Sequence, residues 1–219
     1  MFDPATEASA PLDEEFVWDA ARRVGAIPGL GLPQRRSRLL RILSPHMGPA
    51  QFEHLAMHSE QVGRTAGRLA GLMRVPSAEA ERIRIAGLLH DLGKALVPDH
   101  VLGRDGPLDP EERRLISRHD HDGAELCAIL GAPRDIVECV RAHHRRADGA
   151  DDAGPPPLGA RIIRVADALS VMTTGRTYSA ARTYAQALSE LRSARGTLFD
   201  PDAVVAAHIL GASVMALAA

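Results

Sequence analysis

The feature that most restricts how this chain can fold is the junction Leu88-Leu89-His90-Asp91-Leu92-Gly93-Lys94. An apolar segment containing Ile83, Ile85, Ala86, Leu88 and Leu89 runs straight into an imidazole and a carboxylate, and a glycine and a lysine follow. Such a pair at the end of a buried helix is costly to desolvate unless both groups are paired or hold a metal. A fold that buries Leu88 and Leu89 must therefore bring partners to His90 and Asp91 from elsewhere. One His-Asp dipeptide is weak by itself, so the weight falls on what distant segments supply.

A chain of 219 residues can build one sizeable core, or a core with a helical extension. Hydrophobic residues make up 45% but aromatic residues only 3%, so the core must come from Leu, Ala, Val and Ile. That favours packed helices over a β-sandwich or a platform for stacking bases. A net charge of -2 gives no global sign of nucleic acid or membrane as a partner. Residues 1–15 are acidic and lack the basic-then-apolar order of a signal peptide, and no apolar run approaches membrane-spanning length. Cys127 and Cys139 both fall in helical patterns and read as buried free thiols. These features lead us to expect a reduced, soluble, cytoplasmic protein.

Residues 1 to about 11 read as a loose tail. Phe16, Val17, Ala20 and Val24 recur at helical spacing, and Gly25 to Pro33 ends that helix. A second helix carries Arg35, Arg36, Arg38 and Arg41 around Leu39, Leu40, Ile42 and Leu43; its basic residues read most simply as a solvated face. Trp18, the only tryptophan, reads as a core anchor. A long helix is expected from about Pro49 to Arg74, with His54 and His58 on one face, and another from Ser77, a candidate N-cap, to His90-Asp91. Residues 95–108 read as an apolar loop packed over the site. Asp109-Pro110-Glu111-Glu112 then starts a helix predicted to carry His119 and Gly123 through Leu130. The next helix ends in His143-His144, and a polar loop spans residues 145–157. The apolar helix from Leu158 carries one carboxylate, Asp167, which needs a partner or an ion. Helices around Leu188 and after Asp200-Pro201 complete the chain. No strand pattern, internal repeat or low-complexity segment is present, so the predicted architecture is all-α.

His58, His90, Asp91, His119, His143, His144 and Asp167 can form one site only if several helices converge. Five imidazoles and two carboxylates suit borderline divalent metals such as iron, manganese or zinc, with nickel and magnesium as further candidates. Asp91 could offer one oxygen to each of two ions. Such a pair lowers the pKa of a water it holds and stabilises charge on a phosphate oxygen. Lys94 is suited to act as a point charge or a proton donor beside it.

This pattern resembles the HD-domain metal-dependent phosphohydrolases, and within them the HD-GYP branch. The resemblance rests on His58-Ser59, His90-Asp91 with Gly93-Lys94, Val97-Pro98-Asp99, Gly106-Pro107-Leu108, and His119 followed by Gly123. It continues through His143-His144, Asp148-Gly149, Arg161-Ile162-Ile163, Val165-Ala166-Asp167, Arg176, Tyr178 and Phe199-Asp200-Pro201. It covers about residues 50–210. By resemblance, the fold is an HD-domain helical bundle over residues 46–212, with residues 1–45 a short N-terminal helical extension. The same resemblance gives His58, His90, Asp91, His119, His143, His144 and Asp167 as ligands of two divalent ions, usually iron or manganese. Asp91 and Lys94 are then catalytic, with Lys94, Arg176 and Tyr178 on the substrate. Branch members hydrolyse the bacterial messenger cyclic di-GMP.

The chain departs from the branch in four places. Arg145 replaces the glutamate after the paired histidines, and Asp151-Asp152-Ala153 stands where Gly-Tyr-Pro should follow. Ser170 takes the place of a second aspartate, and His54 that of a third-metal glutamate. These changes argue for two metals and bear on the substrate, since the two aspartates would repel a dianionic nucleotide modestly. The resulting expectation is a dinuclear phosphohydrolase of signalling, acting on cyclic di-GMP. The rivals are a hydrolase of another nucleotide or phosphomonoester and a non-catalytic module that binds a nucleotide or a partner. Residues 1–45 would either pack on the core or form a homodimer through Leu39, Leu40 and Leu43.

Overall fold

The computed structural model describes residues 13–150, 154–174 and 182–217, with side chains to residue 212. Among these residues there is no strand, only an isolated bridge between Arg195 and Phe199, and the predicted all-α architecture holds. None of the described helices is long and apolar enough to cross a membrane.

Helix α1 (Glu14–Gly25) is capped by Asp13 and packs on α2 (Leu32–Leu43). The N-terminal helices belong to the chain's own core: Val17, Ala20, Ala21, Val24, Leu39 and Leu43 lie in the same cluster as the buried residues of the remaining helices. Leu39 and Leu43 are fully buried there, so they are not open as the seam of a dimer. Trp18 packs against this core, as expected of an anchor. The basic face of α2 is only partly solvated. Arg35 donates to the carbonyls of Leu130 (2.6 Å) and Ile27 (3.2 Å), and buried Arg36 donates to that of Leu55 (2.5 Å). The Arg35 acceptors follow helix ends, where carbonyls lack partners, and the Arg36 acceptor lies in the segment Glu53–His58; Arg38 and Arg41 remain exposed.

The expected long helix is interrupted. Short α3 (Pro49–Phe52) passes through a π-helical turn, Glu53–His58, into α4 (Ser59–Leu72). Helix α5 (Ser77–Leu89) lies along α4. It begins at Ser77, but Pro76 holds the cap position and no side chain caps it. The two helices touch backbone to backbone: a Cβ on Gly63 would lie 2.9 Å from the Arg84 carbonyl, and one on Gly87 only 3.1 Å from Gly63 Cα.

Residues 95–108 are more structured than a loop. A 3-10 turn covers Leu92–Leu96 and α6 covers Asp99–Leu102; the Asp99 carboxylate accepts from the Gln51 backbone N–H, which ties α6 to α3. The predicted helix from Pro110 to Leu130 is two helices, α7 (Pro110–Ser117) and α8 (His119–Ile129), broken at Arg118. Helix α7 runs on the surface with only Glu112 buried, whereas α8 buries His119, Ala124, Leu126 and Cys127. The break lets the chain turn from surface to core. The Asp109–Glu112 capping box forms as read from the sequence. Then come α9 (Arg134–Ala142), α10 (Leu158–Thr174), α11 (Tyr184–Ser193) and α12 (Pro201–Leu217). Helix α10 contacts α4, α5, α9, α11 and α12, which brings Asp167 to the ends of α5 and α9. Both cysteines are buried and unpaired, and burial pushes each thiol up to about 12.

Gly93 fixes the distance between the His-Asp junction and α8. A Cβ there would lie 2.1 Å from the His119 carbonyl oxygen and 2.6 Å from the Gly123 nitrogen, both backbone atoms that cannot swing aside. Gly93→Ala is therefore expected to wedge the 3-10 turn off α8, lowering unfolding free energy by about 1–3 kcal/mol in urea denaturation.

Candidate metal centre

Asp91 sits at the end of α5, 1% exposed, with its two oxygens facing different groups of histidines. Oδ2 lies 2.7 Å from Lys94 Nζ, 3.3 Å from His90 Nε2, 3.6 Å from His54 Nδ1 and 3.8 Å from His58 Nε2. Oδ1 lies 3.4 Å from His119 Nε2. His119 Nε2 is in turn 3.0 Å from His144 Nε2 and 3.4 Å from His143 Nε2. Asp167 reaches in from α10, its Oδ1 3.0 Å from His58 Nε2. All seven residues expected from the sequence thus converge. They form two adjoining groups that could each hold an ion: His58, His90 and Asp91 in one, His119, His143 and His144 in the other.

The rings are oriented as metal ligation would require. Nδ1 of His90, His119 and His143 each lies against the carbonyl three residues back in its own chain, at Gly87 (2.8 Å), Ile116 (2.6 Å) and Val140 (2.6 Å). A carbonyl only accepts, so Nδ1 carries the proton and each Nε2 presents a lone pair to the centre. Two such lone pairs facing each other at 3.4 Å, on His119 and His143, repel unless a cation comes between them. Two buried atoms point into the same space with no hydrogen-bond partner: His90 Nε2 and Asp91 Oδ1. Buried polar atoms are rarely left so, and the donor set of imidazole and carboxylate suits a borderline divalent ion. The residues present fit a metal pair.

The charges point the same way. Burial, reinforced by neighbouring rings, holds His143 well below the usual imidazole value, and His144 falls to about 4 through burial and His119. Burial also lowers His119. These rings are neutral at pH 7, the ligating form. Burial would raise Asp91, but His90 and Lys94 outweigh it and hold the carboxylate ionised. His90 is raised, because Asp91 overcomes the opposing effect of burial.

Two contacts were not visible in the sequence. Ser170, 2% exposed, places its Oγ 3.3 Å from His58 Nδ1, so the residue in the aspartate's position still orients that ring. Lys94 Nζ lies 3.3 Å from His54 Nδ1. A countable signal does mark Lys94: it is the only lysine in the chain, against 25 arginines among 26 basic residues. Arg145 donates to the Gly154 carbonyl (2.5 Å) and so spans the polar loop, and Arg164 donates to that of His144. Arg176, Tyr178 and Asp151-Asp152-Ala153 lie outside the described residues.

Comparison with known proteins shows the family and the fold. The HD-domain family profile matches residues 49–203, and the chain belongs to the HD-domain family. The chain is 35% identical over 157 residues to the cyclic di-GMP phosphodiesterase response regulator RpfG of Xanthomonas campestris, covering 66% of this chain and 40% of that protein. It is 31% identical over 159 residues to a cyclic di-GMP phosphodiesterase of Thermotoga maritima, covering 68% and 42%. The chain thus spans less than half the length of these relatives. The HD domain of the L. monocytogenes phosphodiesterase PgpH, solved in complex with cyclic-di-AMP, has the same fold. Its TM-score is 0.58 at 21% identity, over 81% of this chain and 94% of that one.

Two outcomes follow. Ser170→Ala should weaken metal binding at the His58 group by roughly 10- to 100-fold, read by competition with a chromophoric chelator. For the chelator-treated protein, the sign of the pH effect is set by the depressed imidazoles. His54, His119, His143 and His144 stay neutral in the fold below 6.5, where the unfolded chain takes up protons. His90 opposes them singly. The melting temperature should therefore fall as pH drops from about 6.5 towards 4, measured by circular dichroism.

Proposed function

We propose that this domain is a dinuclear-metal phosphohydrolase that cleaves a phosphodiester, with cyclic di-GMP the leading substrate in bacterial second-messenger signalling. The observation that carries this reading is the division of the Asp91 carboxylate between two groups of ligands. His58, His90 and Asp167 would hold one ion and His119, His143 and His144 the other, with Asp91 shared. Iron or manganese leads by resemblance to the family, since the donor set itself accepts several divalent ions. When bound, such a pair supplies a water of lowered pKa and neutralises charge on the phosphate.

The chain's own residues do the rest. Lys94, held on Asp91 Oδ2, sets a compact positive charge at the edge of the centre, where it can meet a phosphate oxygen or give a proton to the leaving group. The backbone carbonyls behind His90, His119 and His143 keep those rings from turning as charge builds. Arg176 and Tyr178 are assigned to the substrate by their place in the family pattern. Residues 46–212 form the catalytic unit, with residues 1–45 an extension buttressing α8 through α1. We place the protein in the cytoplasm, where buried Cys127 and Cys139 remain reduced.

A second reading, another nucleotide or a phosphomonoester as substrate, is favoured by the altered polar loop. There Arg145 clasps Gly154, and acidic residues stand where the branch carries Gly-Tyr-Pro.

Protein loaded anaerobically with iron or manganese should convert cyclic di-GMP to its linear product, and Asp91→Ala should abolish both turnover and the two bound metals. Two metals bound with no turnover of cyclic di-GMP would move the assignment to other cyclic dinucleotides and phosphoesters. Neither metal nor turnover would leave a non-catalytic binding module.

A further inference from the structure

His54 stands beside the metal centre but is built differently from its ligands. The ligand rings His90, His119 and His143 turn Nδ1 to a backbone carbonyl and Nε2 to the centre. His54 instead turns Nδ1 inward, 3.3 Å from Lys94 Nζ and 3.6 Å from Asp91 Oδ2. An ammonium has donors only, so the ring nitrogen facing it must be the acceptor, and the neutral ring then carries its proton on Nε2. That leaves His54 no lone pair for an ion, which agrees with its absence from either ligand group.

The backbone is shaped to place this ring. His54 and His58 occupy a π-helical turn, a winding that concentrates at functional sites. The turn is pinned by Ser59, 1% exposed, which donates to the His54 carbonyl twice, once from its backbone N–H and once from Oγ at 2.8 Å. The two rings meet edge to face at 5.8 Å, side by side against Asp91 Oδ2.

We infer that His54 is a positioning residue that holds the ammonium of Lys94, through an acceptor on Nδ1, and is not itself a metal ligand. A flexible four-carbon stem ending beside a buried carboxylate would otherwise lie on Asp91 alone and compete with metal for Oδ2. Shared between Asp91 (2.7 Å) and His54 (3.3 Å), the ammonium uses two of its three N–H groups and keeps the third for a substrate oxygen. That Lys94 is the sole lysine among 26 basic residues fits a position that needs a compact ammonium and not a planar guanidinium. The catalytic consequence rests on the phosphohydrolase reading; the placement of Lys94 does not.

Because the chain has one lysine, protein grown with 15N-lysine gives a single side-chain ammonium resonance, recorded on metal-free and zinc-loaded full-length protein. The unmutated protein and His54→Gln, which keeps an acceptor, should show a hydrogen-bonded ammonium signal. His54→Leu should lose it to solvent exchange, with metal content unchanged in all three. If the enzyme turns over, kcat should fall roughly 10- to 100-fold in His54→Leu and recover in His54→Gln. Should His54→Leu fail to fold, His54→Ala takes its place. An ammonium signal unchanged in the variant without an acceptor overturns the inference. So does loss of one metal per chain in both substitutions, which would make His54 a ligand. Both readouts stand even if no phosphodiester is hydrolysed, so failure here is separable from failure of the proposed activity.

Discussion

The structure depends on a buried carboxylate whose two oxygens face two sets of imidazoles. Asp91 is 1% exposed, and a lone ionised carboxylate at that depth would be strongly destabilising. Lys94 relieves part of that cost at Oδ2, while Oδ1 has no hydrogen-bond partner among the described residues. The buried Oδ1 carries a local cost that a bound cation would remove. Such local violations of folding rules are characteristic of functional sites.

Much of the architecture serves to deliver groups to that carboxylate. Gly63 and Gly87 let α4 and α5 approach closely, bringing His58 to the end of α5. Gly93 lets the 3-10 turn sit directly on α8, bringing His119 to Oδ1. Helix α10 contributes Asp167 and Ser170 from one face, three residues apart, both on His58. Metal affinity and fold stability are thereby coupled: ions that bind only the folded arrangement would stabilise it by mass action.

The helix pattern was legible because aliphatic spacing, Pro and Gly breaks and one strong capping box mark it directly. The errors came where tertiary contact overrode local signals. Nothing in the sequence around Arg118 breaks a helix, yet α7 lies on the surface and α8 in the core, so the chain must turn there. The π-helical turn at Glu53–His58 was equally hidden, since the contacts of its rings with Lys94 and Asp91 are supplied by the fold. Arg35 and Arg36 read as solvated because amphipathic spacing cannot reveal which distant carbonyls need a donor.

The sequence by itself determined the helical class, the separation of aliphatic core from polar loops, and the identity of the seven groups that converge. The reason is chemical: imidazoles and carboxylates placed in apolar helices need a common partner. Only the tertiary structure decided how Asp91 is divided between two sets of imidazoles, and which nitrogen of each ring faces the centre. It alone placed Ser170 beside His58 and His54 beside Lys94. Those properties depend on distances of a few ångströms between segments up to 112 residues apart, which no local pattern encodes.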